Sequence, residues 1–384
     1  MTQNEKEVLH MDSPSARFHP FIATDAKANW SGYTSPRMDY FGGDIPGVAF
    51  DAGFLVASKE GYMDIPHIHD GADNFFVFTG ADLTDVFHSE FEVDLFMGDS
   101  PTAMELYKIT KPSIVRIPAG VWHCPVYYKK VVRGLNTMMW YAGVSTGRVY
   151  PTVNAAGEPD IRYEKDNWVR PCVKDPDRLC TYCGACFDQS EAHIREYMKP
   201  FYENAADTRK YADCVVALRA DDHTLGDGVL SPRAVFRGGE ELEKADRQFS
   251  INIVTKPCQL GDDEPVSNGQ AAEFLWFSGA DAYDPWTSFD AEIQVMLGDD
   301  PDHMEPVVFD RPGVVAVPPG TWRGAVTVKR AGKPLCFIPW YPHSLPRYKL
   351  VRRMANGEPV LAYYDAAGIA APSAGDELYL QMKR

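Results

Sequence analysis

The chain is written twice, and that repeat limits what it can fold into. Ser35-Pro36-Arg37 returns as Ser231-Pro232-Arg233, and Gly42-Gly43 returns as Gly238-Gly239. The run DNFFVFTGAD (73–82) returns as AEFLWFSGAD (272–281), an offset of 272 − 73 = 199. One inserted residue then moves the offset to 200. There IPAGVW (117–122) meets VPPGTW (317–322), Trp140-Tyr141 meets Trp340-Tyr341, and Gly157-Glu158-Pro159 meets Gly357-Glu358-Pro359. A register held this long marks two copies of one structural unit.

Each copy reads as β-structure. GFLVAS (53–58), FFVFT (75–79), FEVDLF (91–96) and SIVRIP (113–118) alternate or cluster apolar residues between Gly, Pro and Asp turn signals. Short strands at such spacing predict a closed antiparallel sandwich or barrel. The expected fold class is therefore all-β with two barrels, and 384 residues suffice for two separate cores. The expected organisation is an N-terminal extension (1–29), a first barrel (30–165), an unrepeated insertion (166–230), and a second barrel with a C-terminal tail (231–384). Within the insertion, residues 190–207 read as a helix that Pro200 should interrupt.

Chemistry concentrates in the first copy, in PHIHDGADNFFVFTG (66–80) and IPAGVWHCP (117–125). Alternate side chains of a strand share a face, so His67 and His69 point the same way. A third imidazole, His123, follows the Pro118-x-Gly120 turn. Three imidazoles and a carboxylate make a mixed N/O donor set suited to Fe, Mn, Ni, Zn or Cu. These segments resemble the two motifs of the cupin superfamily: His-x-His with an acidic residue and a closing Gly, here His67, His69, Asp73 and Gly80, and Pro-x-Gly-x-x-His, here Pro118, Gly120 and His123. The resemblance covers both repeats. It implies two jelly-roll barrels, a bicupin, with one divalent metal (Fe, Mn, Ni or Zn) on His67, His69, Asp73 and His123. The family usually has Glu where this chain has Asp73. Glu92, on the next predicted strand, is the alternative carboxylate, as ligand or as general base, although Glu292 keeps its place in the second copy and so favours a structural role. Tyr62, Tyr107, Tyr127, Tyr128 and Arg116 complete the candidates, with Tyr127 for proton transfer and Arg116 for holding an anionic group.

The second copy acts as an internal control. Opposite His67, His69, Asp73 and His123 stand Val266, Asn268, Ala272 and Arg323. Valine offers no lone pair and a guanidinium cannot ligate a metal. The C-terminal barrel is thus expected to be a structural partner, the alternative being that Arg323 binds an anion, with Trp122/Trp322 and Trp140/Trp340 as core packing in both copies. The insertion carries Cys172, Cys180, Cys183 and Cys186. Their spacing resembles the start of a ferredoxin cluster run, but Ser190 and Glu191 stand where Cys-Pro would close it. An iron-sulfur cluster, a structural zinc on these four thiolates and unliganded thiols are the three readings.

With 54 acidic against 38 basic residues the formal charge is -16, which disfavours nucleic acid or an acidic membrane surface as partner. No apolar run of about 18 residues is present, and the N-terminal twenty residues lack the pattern of a secretory signal. Eight cysteines are too sparse for a disulfide scaffold. These features predict a cytoplasmic protein acting on a small molecule, alone or as a homo-oligomer. The expected activity is that of a metal-dependent lyase, decarboxylase or isomerase of a small oxygenated organic acid. An iron-dependent ring- or C–C-cleaving dioxygenase and a non-catalytic ligand sensor are the alternatives.

Overall fold

The computed structural model describes residues 52–88, 90–142, 147–165, 190–223, 225–238, 241, 249–261, 264–267 and 272–341. It also gives the backbone of seven short or terminal strands: Ile22–Ala23, Met38–Tyr40, Arg170–Pro171, Leu179–Cys180, Tyr348–Ala355, Glu358–Asp365 and Leu378–Tyr379. In the first copy one sheet runs in the order Val215–Ala217, Ser113–Ile117, Asp73–Gly80, Leu135–Ala142, Ala52–Ala57, Met38–Tyr40. It faces a second sheet in the order Gly61–Met63, Trp122–Val131, Phe91–Gly98, Glu105–Ile109, with Ile68–His69, Gly147–Val153 and Pro159–Lys165 completing the barrel. The second copy repeats this plan, with Glu273–Gly279 in the place of Asp73–Gly80 and Trp322–Ala331 in the place of Trp122–Val131. The two expected all-β cupin-type barrels are present, joined by a segment that carries one α-helix.

Alternation along the strands supplies two cores from one sheet. On Asp73–Gly80 the inward side chains Phe76 and Phe78 meet Val93, Leu95 and Val126 from the facing sheet. The outward ones, Phe75 and Val77, join a separate cluster that runs into the other barrel. Glu273–Gly279 divides in the same way, Leu275 and Phe277 inward, Phe274 and Trp276 outward. The barrels therefore pack sheet against sheet. Trp140 and Trp340, which occupy equivalent positions in the two copies, lie 5.5 Å apart between ring centroids, and Phe54 approaches Trp276 at 4.8 Å. The contact is reciprocal: Leu83 N donates to Ala280 O (3.1 Å) and Ala282 N to Ala81 O (3.0 Å). Such self-complementary pairing marks a two-fold relation.

Segments outside the repeats cover sheet edges, which unpaired strands leave open to further pairing. Ile22–Ala23 pairs with Val314 and Val315 of the second barrel, and Val215–Ala217 pairs with Ser113–Val115 of the first. The helix Glu191–Glu203 is started by Ser190, whose hydroxyl accepts from His193 N (3.4 Å). The expectation that Pro200 interrupts it is corrected: the helix continues to Glu203. Pro200 sits in the last turn, and its carbonyl accepts from both Asn204 N (3.1 Å) and Asn204 Nδ2 (2.8 Å), which caps the end. Ile194, Tyr197, Met198 and Phe201 recur at helical spacing and pack on Tyr62, Phe96, Trp122 and Tyr127, the outer face of the smaller sheet. The second barrel has Met296 and Thr327 at the places of Phe96 and Tyr127, and among its described residues no helix covers them.

Because Trp140 and Trp340 lie at the centre of the inter-barrel cluster, replacing either with Ala should lower folding stability by about 3–5 kcal/mol, read from the midpoint of chemical denaturation. A loss under ~1 kcal/mol from either change would mean that the two faces touch without packing.

Candidate metal centre

Backbone pairing brings the histidines together. His67 and His123 form an antiparallel bridge, each N–H donating to the other's carbonyl at 3.0 Å, while Gly120 N donates to His69 O (3.2 Å). A register shift between His123 and Val126 adds a residue to that strand, so both side chains face inward although three positions separate them. The turn before His123 needs its glycine: Val121 N donates to Pro118 O (3.1 Å), and Gly120 has φ +80°, as the third residue of a type II turn requires. Gly320 repeats it at φ +85°.

The three imidazoles are almost wholly buried, and their ligand nitrogens lie within 4.8 Å of one another. His67 Nδ1 donates to Ile65 O (2.7 Å) and His123 Nδ1 to Val121 O (3.0 Å). Those bonds fix the tautomer and leave each Nε2 as a lone pair turned to the cluster. His69 places its own Nε2 3.1 Å from that of His67. Burial, followed by the positive charge of Arg148, lowers His67 to about 3, and His69 and His123 are held well below 6.5, mainly by burial as well. At neutral pH the imidazoles are uncharged, so a cation meets no competing protons. Beside them the Asn74 side chain is buried, and its Oδ1 has no hydrogen-bond partner. Two oriented lone pairs, a third imidazole nitrogen 3.1 Å from one of them and an orphaned amide oxygen fit a divalent cation.

The wall of the cluster comes from residues that sequence reading did not single out. Tyr141 lies 4.6 Å from His69 and Tyr150 lies 5.7 Å from His67, centroid to centroid. Arg148, buried between them, donates towards Asp64 Oδ2 (3.4 Å) and Tyr141 OH (3.5 Å). Burial opposes its charge, but Tyr141, Asp64 and Tyr150 outweigh that and keep it protonated. Asp64 Oδ2 also lies 3.9 Å from His67 Nδ1.

The other sequence candidates lie elsewhere. Asp73 does not reach the histidines, which corrects its expected place as fourth ligand. Its Oδ2 accepts from Arg116 Nε (2.7 Å) and its Oδ1 from Ala119 N (3.0 Å), on the outward face of the strand. The second copy supports this structural role. There Pro319 replaces Ala119 and has no N–H to offer, and Asp73 and Arg116 are both replaced by alanine, Ala272 and Ala316. Arg116 is thus committed to Asp73 and does not face the cluster. Glu92 pairs with Lys129 (2.6 Å) on the outer face. Tyr127 donates to Glu60 under the helix, away from the imidazoles. Cys172, Cys183 and Cys186 fall outside the described residues, and Cys180 is described only by its backbone pairing with Arg170.

In the second barrel Val266 pairs with Arg323 as His67 pairs with His123. Arg323 donates from Nε (2.7 Å) and from an Nη (3.2 Å) to the buried carboxylate of Glu273. A fixed guanidinium–carboxylate pair fills the place that the imidazoles occupy in the first barrel.

Two such barrels, with the paired histidine motifs confined to one, settle the architecture. The fold is that of a bicupin. Similar solved structures include oxalate decarboxylase of Lactobacillus farciminis (11% identity, TM-score 0.48, covering 84% of this chain and 85% of that one). Another is the 7S globulin of Momordica charantia (12%, 0.49, 89% and 89%). A third is the Mn(II)-containing oxalate decarboxylase of Bacillus subtilis (9%, 0.45, 84% and 76%). No family model and no curated protein sequence matches the chain. No helix among the described residues is long and apolar enough to cross a membrane.

Burying neutral histidines has a pH signature. Between the ordinary 6.5 and about 3, His67 takes up a proton when the chain unfolds but not while it is folded, so the metal-free protein should lose stability as pH falls through that window. Each such histidine adds a slope of about 1.4 kcal/mol per pH unit. Urea midpoints measured from pH 7 to 4 should fall less steeply for His67→Gln; parallel profiles would contradict the buried, neutral imidazole.

Proposed function

We propose that this bicupin is a metal-dependent enzyme that takes a small carboxylic acid and acts on it as a lyase, with decarboxylation the leading reaction. The observation that carries this reading is a buried, permanently charged Arg148 next to three buried neutral imidazoles, with Asp64 as its carboxylate partner. Arg148 and Asp64 cancel in formal charge. A divalent ion on the imidazoles therefore adds two uncompensated positive charges to a buried cluster, and an anionic substrate balances them.

A bound divalent ion supplies Lewis acidity, drawing charge from substrate oxygens. The chain supplies the rest. The Nδ1–H bonds of His67 and His123 hold the ligand nitrogens in place before any ion arrives. The planar guanidinium of Arg148 suits a carboxylate, which it can bind through two parallel N–H···O bonds, and Tyr141 and Asp64 fix its orientation. Phe76, Tyr141 and Tyr150 line the cluster and exclude water, which strengthens each of these charge interactions.

A second reading, iron-dependent oxidative cleavage of an enolic or aromatic substrate, is favoured by one observation: among the described residues no carboxylate joins the three histidines. Dioxygen uptake separates the two. His67→Ala with His123→Ala should abolish bound metal, measured by mass spectrometry of the purified protein. Arg148→Met should keep the metal and lower kcat/KM for CO2 release from small carboxylic acids by about 10- to 100-fold, as expected for lost charged hydrogen bonds worth about 1.5–3 kcal/mol. Oxygen consumption with a catecholic substrate, and no CO2 release from any acid under nitrogen, would replace the lyase reading with the oxidative one.

A further inference from the structure

We infer that Asn74 takes the place of the acidic ligand, giving the first barrel a wholly neutral donor set that relies on an anionic ligand from outside to balance its cation. The inference rests on the metal-centre reading above and goes beyond it by naming the fourth donor and its consequence for ligand charge.

Three independent observations converge on Asn74. The first is strand parity: Asn74, Phe76 and Phe78 share the inward face of their strand, and Asp73 and Phe75 the outward one. The second is hydrogen bonding. Asn74 is 1% exposed, its Nδ2 donates to His123 Nε2 at 3.4 Å, and its Oδ1 is buried with no hydrogen-bond partner. A half-turn of the amide exchanges its nitrogen and oxygen and presents Oδ1 where Nδ2 now points, towards the histidine lone pair that a cation would share.

The third comes from the other copy. Glu273 is the counterpart of Asn74 at the same offset of 199, and it reaches Arg323, the counterpart of His123, at 2.7 and 3.2 Å. In both barrels this position addresses the same partner. The second barrel combines a carboxylate with a built-in cation and is neutral as it stands. The first combines an amide with three neutral imidazoles and has no charge of its own to offset an ion.

An amide oxygen is a weaker ligand than a carboxylate and leaves the full charge of a divalent ion in place. The site therefore gives up metal affinity and gains affinity for anions, which selects carboxylate or other anionic chelating substrates over neutral ones. The test uses metal-free full-length protein titrated with Co2+, followed by calorimetry and by the visible absorption of the bound ion, with acetate as the anionic probe of the loaded protein.

Asn74→Asp, which is isosteric, should tighten Co2+ by about tenfold and weaken acetate binding by a similar factor; Asn74→Leu should weaken Co2+ by about tenfold and change its absorption, while Asp73→Asn should alter neither. Tightening in Asn74→Asp cannot arise from a damaged fold, so the test survives if Asn74→Leu fails to fold. Unchanged Co2+ affinity in both Asn74 variants, or loss of affinity in Asp73→Asn, would overturn this assignment and leave the metal centre standing. Absence of Co2+ binding to the unmodified protein would overturn both.

Discussion

Strand Asp73–Gly80 has no solvent face. One side fills the first barrel and the other is pressed against the second barrel, so a slip of one residue would drive Phe75 and Val77 inward and expel Phe76 and Phe78 from their core. Everything at the metal centre depends on that register. It sets Asn74 beside His123, turns Asp73 to Arg116 and the Pro118–Val121 turn, and through that turn fixes where His123 enters the barrel. The inter-barrel contact is thus part of the site's construction, although Trp140 and Trp340 stand on the opposite face of the sheet from the imidazoles.

Duplication and divergence share one physical logic. Both barrels keep the turn with a positive-φ glycine, the irregularity after position 123 or 323, and the bridge that joins it to position 67 or 266. What changed is where positive charge is stored. The second barrel stores it covalently in Arg323 and matches it with Glu273, a pair whose geometry is closed and whose disruption at either end would strand a buried charge at a cost of about 3–5 kcal/mol. In the proposed reading the first barrel leaves the place to an exchangeable ion among the neutral nitrogens of His67, His69 and His123, with Arg148 and Asp64 as a separate pair alongside.

Much of this was legible in the sequence. Repeat register gave two barrels, His67, His69 and His123 declared themselves by spacing, and Val266 and Arg323 showed that the second copy cannot repeat the site. The acidic position was not legible from motif distance alone. Asp73 and Asn74 are neighbours, and which one faces inward depends on how the chain leaves the turn at Gly71, where φ is +78°, and on which face meets the other barrel. The repeat did contain a signal: Glu273 aligns with Asn74, while Ala272, Ala316 and Pro319 remove together the three groups that Asp73, Arg116 and Ala119 bring together. Tyr141, Arg148 and Tyr150 left no such trace, because strands far from His67 and His69 in the chain carry them to the cluster; Asp64 stands only three residues before His67, but no motif marks it as the partner of Arg148. Pro200 misled for a local reason: a proline that breaks a helix interior is tolerated where the last turn is capped by Asn204.

Anomalous X-ray diffraction from crystals of the metal-loaded protein, recorded above and below the absorption edge of the ion, tests the central claim most directly. The account predicts one peak, in the first barrel, bonded to Nε2 of His67, His69 and His123 with the Asn74 amide oxygen turned towards it, and no peak beside Arg323. A peak ligated by Asp73, or one in the second barrel, would contradict it.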